Sequence, residues 1–327
     1  EVSPSLLICP RRTFIMPNYQ GVWSLSTHYQ NRSGWPAPPI TGLFMGSNSA
    51  YNSIEKIFFT TLGNATDVGD LSSEKLRGAA VGSTTRAVHA GGYNTTGDSR
   101  SNIIDFVTFA SLGTAGDFGD LTVGRSDCTS MGNATRGVWA GGRDSNARTD
   151  TMDYVEIASA GNATDFGNMG AAGGNLGGFA SPTRGVMGTR FVGNYTNIIE
   201  YITIGSTGNA TDFGDRTISS YDDNGAASST RGLFAGGTDG SASNVIDYVT
   251  IATTGNATDF GDLTVGRYSG SNGASDNIKA VFAGGSGGGY NVIDFVVIAT
   301  TGNASDFGDL TGNRILAGCS NGHGGLA

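Results

Sequence analysis

Short apolar runs separated by turn residues occupy most of the chain after residue 40. One run closes on two glycines, as in residues 136–142 (RGVWAGG) and 231–237 (RGLFAGG). A longer run follows it, as in residues 244–252 (NVIDYVTIA), and is apolar on both faces. Because β-branched and aromatic residues dominate and Gly and Asn bound each run, the pattern predicts β-strands that are covered on both sides.

A phrase close to GNATDFGD ends each unit and recurs at nearly constant intervals. The spacings between copies are 50, 48, 47, 47 and 47 residues, counted from Gly63, Gly113, Gly161, Gly208, Gly255 and Gly302. A period of about 50 residues is typical of propeller blades. We therefore predict an all-β fold, a six-bladed β-propeller, with blades at residues 41–71, 72–121, 122–169, 170–215, 217–263 and 264–310.

The two ends of the chain predict how the ring closes. Residues 314–320 (RILAGCS) align with the first strand of a unit, whereas residues 1–40 do not match the repeat. We expect the C-terminal strand to pair into blade 1, which removes exposed sheet edges. The domains are then an attachment segment at 1–40 and a propeller at 41–327. Seven blades would require residues 1–40 to form most of a blade, so we favour six.

The repeat resembles the kelch repeat: a strand ending in Gly-Gly, then NVIDY, an aromatic residue three positions before Leu, and an Arg. The aromatic and leucine positions are Phe118 and Leu121, Phe260 and Leu263, and Phe307 and Leu310, and the arginines are Arg125, Arg267 and Arg314. The resemblance implies a kelch-like propeller. Phe replaces the kelch Trp, and residues 188–190 (GTR) replace Ala-Gly-Gly in blade 4.

The phrase TGNATDFGDLT also resembles repeats in virion proteins of aquatic tailed phages, cyanophages among them. Residues 21–25 (GVWSL), Tyr29 and Trp35 are similar to a connector segment of such proteins. This resemblance implies a tail fibre, tail tip or capsid appendage in which residues 1–40 dock to other virion proteins through Trp23, Tyr29 and Trp35. An oligomer could form through the particle.

Composition narrows the classes of partner. The net charge is −9 and no Lys/Arg cluster occurs, so we expect no nucleic-acid partner. No apolar run approaches the roughly 20 residues of a membrane span, so we expect no membrane insertion. Cys9, Cys128 and Cys319 are too few and scattered for a disulfide framework or zinc site, and we expect buried free thiols, with a chance bridge as the alternative.

Catalytic chemistry finds little support in the sequence. Asp-Phe-Gly occurs five times, but without the phosphate loop, strand lysine and catalytic loop of a kinase. Only three histidines exist, and His89 stands where other units place Phe, Trp or Met, so we expect a core position. We predict no catalytic residue, no metal and no cofactor. Calcium in the Asp/Asn turns is an alternative to our preferred interpretation, in which these side chains cap turns.

One basic residue recurs in each of five units. We expect a structural role, such as pairing with a loop Asp, for Arg86, Arg136, Arg184, Arg231 and Lys279.

The loops between second and third strands differ from blade to blade, unlike the uniform third-to-fourth turns. They span residues 93–100, 143–150, 189–196, 238–243 and 286–290 and should emerge on one face of the ring. Loops on a rigid scaffold carry recognition, so we predict that this face binds a partner through Tyr93, Arg148, Tyr195 or Tyr290. Unselected variation of solvent loops is the alternative.

Three functions follow in order of preference. The first is a non-enzymatic structural and interaction module of a phage particle, located in the virion and contributing to attachment to a host-surface glycan or protein. The second is a secreted or cell-surface carbohydrate-binding propeller of a bacterium. The third, a propeller hydrolase or oxidase, lacks a visible acid/base constellation.

Overall fold

The structure, a computed structural model, describes residues 39–47, 52–95, 97–268, 272–287 and 291–326. The predicted docking residues Trp23, Tyr29 and Trp35, and the loop residue Tyr290, lie outside this part of the chain. Six four-stranded antiparallel sheets follow one another around a ring, and the first strands of neighbouring sheets lie in contact at its centre. The predicted six-bladed β-propeller is confirmed.

In each blade the strands run from the axis outward in the order first, second, third, fourth. Blade 1 contains Ile315–Ser320, Thr41–Ser47, Ser53–Phe58 and Thr66–Asp70. Blade 2 contains Ala79–Gly82, Arg86–Ala90, Ile103–Thr108 and Ser111–Asp120. Blade 3 contains Thr129–Gly132, Arg136–Ala140, Thr151–Glu156 and Thr164–Asn168.

The second half of the ring repeats this order. Blade 4 contains Gly177–Ala180, Arg184–Gly188, Thr196–Thr203 and Thr211–Ser220. Blade 5 contains Asn224–Ala227, Arg231–Ala235, Val245–Thr250 and Thr258–Asp262. Blade 6 contains Ala274–Ser275, Lys279–Ala283, Val292–Val297 and Ser305–Asp309. A two-stranded hairpin, Tyr93–Asn94 with Ser99–Arg100, and a 3-10 helix, Gly324–Leu326, lie outside the blades.

The C-terminal strand closes the ring as predicted. Ile315–Ser320 pairs antiparallel with Thr41–Ser47, from Gly42 opposite Ser320 to Ser47 opposite Ile315. Blade 1 therefore takes its first strand from the C-terminal end of the chain and its other three strands from residues 41–70.

The repeated Asp-Phe-Gly forms a β-bulge in the fourth strand. In blade 3, Met152 pairs with Gly167 but the next residue, Asp153, pairs with Asp165, which leaves Phe166 as the extra residue. A register shift occurs at the same place in the other five blades. A bulge re-aims a side chain, and here it turns Phe166 into the buried core while its two neighbours stay at the surface.

The bulged phenylalanines pack between blades. Phe118 of blade 2 belongs to one apolar cluster with Trp139 and Ile157 of blade 3. It also meets Phe106 of its own third strand edge to face, with ring centroids 5.9 Å apart. The phenylalanine of the phrase therefore lies in the core between two blades.

The rest of the phrase joins the outer rim of one blade to the next. The Asn162 side-chain oxygen accepts a hydrogen bond from the Asp120 amide of the preceding blade at 3.1 Å. The Gly161 amide donates to the Phe118 carbonyl at 2.7 Å. Four further Asn–amide bonds repeat this contact between other blades. Our expectation that these asparagines cap their own turns was wrong, because their partners lie one blade away.

A buried ion pair fixes the third strand of every blade, and in five blades its cation comes from the connecting segment that enters the blade. In blade 3 the Arg125 guanidinium lies 2.7 Å from the Asp153 carboxylate, both fully buried, and the Thr122 hydroxyl donates to the same carboxylate at 2.6 Å. The corresponding pairs are Lys75–Asp105, Arg190–Glu200, Arg216–Asp247, Arg267–Asp294 and Arg314–Glu55. The arginine that carried the kelch resemblance therefore belongs to this ring of six pairs.

Blade 4 keeps its ion pair although the chain departs from the repeat there. Gly173 stands where the segments entering blades 1, 2, 3 and 6 place the cation, and Arg190 stands where blades 2, 3, 5 and 6 have the second glycine of Ala-Gly-Gly. Blade 5 differs too, because Ser220 stands at the cation position and Arg216 supplies the cation from earlier in the segment. Arg190 pairs with Glu200, and a Cβ added to Gly173 would meet the Arg190 side chain at 2.6 Å. The glycine at 173 and the arginine at 190 therefore compensate for each other: in blade 4 the cation comes from the loop, and the glycine leaves room for its side chain.

The basic residue that begins the second strand of blades 2 to 6 also bridges blades, but not through a loop Asp. The Arg184 guanidinium donates to the Ile251 carbonyl of the next blade at 2.7 Å and lies over the Tyr201 ring. The equivalent bonds come from Arg86, Arg136, Arg231 and Lys279. The structural role is confirmed, but the main partner is a backbone carbonyl, because the long side chain reaches past its own blade.

Candidate functional site

The two faces of the ring differ in construction. We call the loop face the one formed by the second-to-third loops and the segments connecting the blades, and the turn face the opposite one, formed by turns such as residues 133–135. Near the loop face the axis is filled by Asn272 of blade 6, whose amide donates to the Ser130 carbonyl of blade 3 at 2.9 Å.

The turn-face end of the axis is filled by the C-terminal residues. His323 Nε2 donates to the Gly82 carbonyl at 2.6 Å, and His323 Nδ1 accepts from the Gly325 amide at 3.1 Å. A cavity of about 50 Å³ remains between His323 and Asn272, lined by the small residues of the first strands. This space suits a few water molecules, so ligand binding is expected at a face and not inside the ring.

Two of the predicted binding residues meet in one cluster on the loop face. The Tyr195 ring stacks on the Tyr221 ring, with centroids 5.6 Å apart and planes 9° apart. Phe191 contacts both rings at a tilt, and the Arg148 guanidinium lies 4.4 Å from the Phe191 centroid. We call Phe191, Tyr195, Tyr221 and Arg148 the aromatic cluster. Tyr195 remains 43% exposed, so this stack presents an aromatic surface to solvent.

Three loops from different blades build this cluster. Arg148 comes from the blade 3 loop, and Phe191 and Tyr195 come from the blade 4 loop. Tyr221 lies in the segment entering blade 5, where its amide and carbonyl both bond with Thr238. The blade 5 loop lies alongside, since a Cβ added to Gly240 would be 3.5 Å from the Tyr195 hydroxyl.

Tyr93, the third predicted residue, lies on the same face but outside the aromatic cluster. Its hydroxyl donates to the Asp98 carboxylate at 2.6 Å within the blade 2 hairpin. The Arg100 guanidinium lies 5.4 Å from its ring centroid. This hydrogen bond raises the pKa of the Tyr93 hydroxyl. Tyr93 therefore serves as a matched control for the clustered tyrosines.

Four polar residues surround the axis at the loop face, one from each of blades 2 to 5. Three hydrogen bonds of 2.7 to 2.8 Å join their backbones in series, from the second, third and fourth amide to the carbonyl of the residue in the preceding blade. All four have left-handed backbone, with φ of 58°, 59°, 66° and 62° for Arg77, Asp127, Asn175 and Asp222. We call these residues the polar ring. Backbone strain of this kind often accompanies function.

Side chains link the polar ring as well. The Arg77 guanidinium lies 2.9 Å from Asp127 and 3.7 Å from Asp222. The Asn175 amide donates to Asp222 at 2.6 Å and to Asp127 at 3.2 Å. Arg77 keeps 32% of its side chain exposed, so the ring offers both charge signs to the solvent.

The polar ring and the aromatic cluster are contiguous. Tyr221 precedes Asp222 in the chain, and burial together with the Asp222 charge raises the pKa of the Tyr221 hydroxyl. Burial raises the pKa of Asp222 to about 6, although Arg77 and the Asn175 hydrogen bond oppose that change. Aromatic faces and hydrogen-bonding groups therefore share one surface at the mouth of the axis.

His89, Cys128 and Cys319 are buried and do not contribute to this surface. His89 is fully buried in the second strand of blade 2, as predicted, and burial lowers its pKa to about 3. Cys128 and Cys319 are buried free thiols, also as predicted, with pKa values raised to about 11 and about 12. Within the described ranges, no group of three His, Cys, Asp or Glu side chains could hold a metal ion.

Sequence reasoning missed Tyr221 and the polar ring because it compared only the second-to-third loops. An alignment of the connecting segments would have shown the polar ring. Once the units are aligned, the position two residues after Arg125 holds a polar residue in four successive units, Arg77, Asp127, Asn175 and Asp222.

Comparison with known proteins adds no relative. No protein-family model matches the chain, and no curated protein matches it at a significant level. The structure itself defines a six-bladed β-propeller, consistent with the kelch-like resemblance of the repeat. No helix in the part of the chain described here is long and apolar enough to cross a membrane.

Proposed function

We propose that the protein is a non-enzymatic interaction module whose loop face binds a surface ligand. The observation that carries this proposal is the partly exposed aromatic cluster beside the polar ring. The remainder of the molecule has a visible structural use: the repeated phrase, the ion pairs and the second-strand arginines all join neighbouring blades. A rigid ring that presents variable loops on one face suits recognition.

In our proposal the module belongs to a phage particle and contributes to attachment at the host surface. The support is the resemblance of the repeated phrase and of residues 21–36 to virion proteins of aquatic tailed phages. Residues 1–40 would dock the propeller to other virion proteins through Trp23, Tyr29 and Trp35. The site of action would be the virion.

The second candidate is a secreted or cell-surface carbohydrate-binding propeller of a bacterium. The aromatic cluster favours it equally, because aromatic faces beside planar hydrogen-bonding groups suit a sugar wherever the propeller is displayed.

Mass spectrometry of purified particles and of the matching cell-surface and culture-supernatant fractions separates these candidates. Peptides of the chain in particles that are free of cell envelope would support the phage assignment. Peptides confined to the cell-surface or supernatant fractions would contradict it and favour the second candidate. In either case, a full-length chain that binds no cell surface would contradict the proposed attachment function.

A further inference from the structure

The loop-face surface formed by the aromatic cluster and the polar ring places aromatic rings beside charged hydrogen-bonding groups. Its core is a stack of two tyrosine rings with Phe191 beside it. A stable protein–protein interface buries about 800 Å² on each partner, far more than three rings present. A hexopyranose ring, by contrast, matches one aromatic ring in size and offers an apolar C–H face to it.

The groups around the stack match sugar hydroxyls. Hydroxyls both donate and accept hydrogen bonds, so they pair with a guanidinium and with a carboxylate side by side. Arg77 and Asp127 supply these groups and both are partly exposed. Partly buried hydrogen bonds from Asn175 to Asp127 and Asp222 hold the acidic side chains in fixed orientations.

Charge around the stack selects against an anionic sugar. Arg77 lies between two carboxylates, Asp127 and Asp222, so the polar ring carries no positive excess. Arg148 already lies against the Phe191 ring. The whole chain has a net charge of −9, which adds long-range repulsion of anions.

We propose that this surface binds a neutral hexopyranose unit of a glycan, with the sugar C–H face against the exposed Tyr195 ring, which Tyr221 supports from below, and its hydroxyls toward Arg77 and Asp127. The inference rests on the proposed function, since it names the ligand class for the same face. It assigns three residues, Tyr221, Arg77 and Asp127, that the loop comparison did not find.

The test uses the full-length chain on an array of immobilised neutral and sialylated glycans. We expect the chain to bind glycans that share a neutral terminal hexose and not to bind sialylated glycans. Tyr195→Ala and Tyr221→Ala should each weaken that binding at least about tenfold. Tyr93→Ala, the same change on the same face outside the cluster, should bind as the wild type does. Wild-type-like binding by both cluster variants, or a preference for sialylated glycans, would overturn the inference.

A parallel assay on aquatic bacterial cells, cyanobacteria included, separates failure of this inference from failure of the proposed function. Periodate oxidation of the cells, which cleaves vicinal diols of sugars, should abolish binding of the wild-type chain. If wild-type binding survives periodate but Tyr195→Ala abolishes it, the partner is a protein. That result would overturn the inference of a sugar ligand and would support the proposed attachment function. Absence of binding to both cells and array would overturn both proposals.

Discussion

At the outer rim the residues of successive blades are nearly identical and contact one another, whereas at the loop face they differ from blade to blade and lie partly in solvent. At the rim, Gly119 and Gly161 of neighbouring blades meet backbone to backbone. At the loop face, Tyr195 and Arg148 come from different blades and meet through Phe191. The difference teaches that repetition in this chain marks contacts between blades, and that departure from repetition marks the surface available for a partner.

The largest expected effect is on the free energy of unfolding, and it distinguishes a buried ion pair from an exposed charge. Arg125→Leu leaves the buried Asp153 carboxylate without its cation, so we expect a loss of about 3–5 kcal/mol in the free energy of unfolding. Arg143→Leu, in the exposed loop of the same blade, should change it by less than about 0.5 kcal/mol. Urea denaturation followed by tryptophan fluorescence measures both. Equal effects of the two substitutions would refute the role of the ion pair.

The second expected effect is a difference in stability between alanine substitutions at the two glycines of one rim contact. Gly119 has φ of 146°, and a Cβ there would lie 2.4 Å from the Gly161 carbonyl oxygen. Gly119→Ala should therefore cost about 3 kcal/mol through strain and steric clash. Gly161→Ala faces open space and should cost less than about 1 kcal/mol. The same urea measurement compares them, and a larger loss for Gly161→Ala would contradict the assigned contact.

The third expected effect is a pH dependence of the free energy of unfolding that arises at the loop face. The pKa of Asp222 is raised from 3.8 to about 6 by burial. A carboxyl with a raised pKa favours the folded state most at low pH, and this contribution is lost as the pH rises from about 4 to about 6. The loss is at most about 3 kcal/mol, since each pKa unit corresponds to about 1.4 kcal/mol.

Asp222→Asn removes the titrating group and should flatten this part of the stability curve. Thermal unfolding from pH 4 to pH 7 compares the variant with the wild type. If the unfolding temperature changes with pH by the same amount in both proteins, Asp222 is not the source of this pH dependence.

The comparison between rim and loop face also explains what the sequence could predict. Six copies of one phrase, the alignment of residues 314–320 with a first strand, and the apolar runs were enough for the fold. The β-bulge and the inter-blade role of Asn162 could not be predicted, because they depend on register and on a partner about 40 residues away. The cluster of Arg148 and Tyr195 needed Phe191 and Tyr221, which become neighbours only when blades 3 to 5 pack together.

The fourth effect is a single rim hydrogen bond. Asn256→Ala removes the acceptor for the Asp215 amide and should cost about 1 kcal/mol. Blade 2 carries Thr114 at the equivalent position, so Thr114→Asn should gain up to about the same amount by supplying an acceptor to blade 1. Urea midpoints of both variants check this. A stabilising Asn256→Ala would contradict the assigned rim contact.

The smallest expected effect is on stability at the aromatic cluster. Tyr195 is 43% exposed, so Tyr195→Ala should change the free energy of unfolding by about 0.5 kcal/mol or less while binding is lost. Loss of stability as large as that of Arg125→Leu would make Tyr195 a structural residue and remove it from the binding surface.

Site-directed blocking of each face tests most directly whether the loop face carries recognition. In a Cys9→Ser background, the buried Cys128 and Cys319 have raised thiol pKa values and should not react with a polymer maleimide. Ser241→Cys places the label on the loop face beside the aromatic cluster, and Ser206→Cys places it on an exposed turn of the opposite face. We expect the label at position 241 to abolish cell-surface or glycan binding and the label at position 206 to leave it intact. Loss of binding only with the label at position 206 would contradict the account.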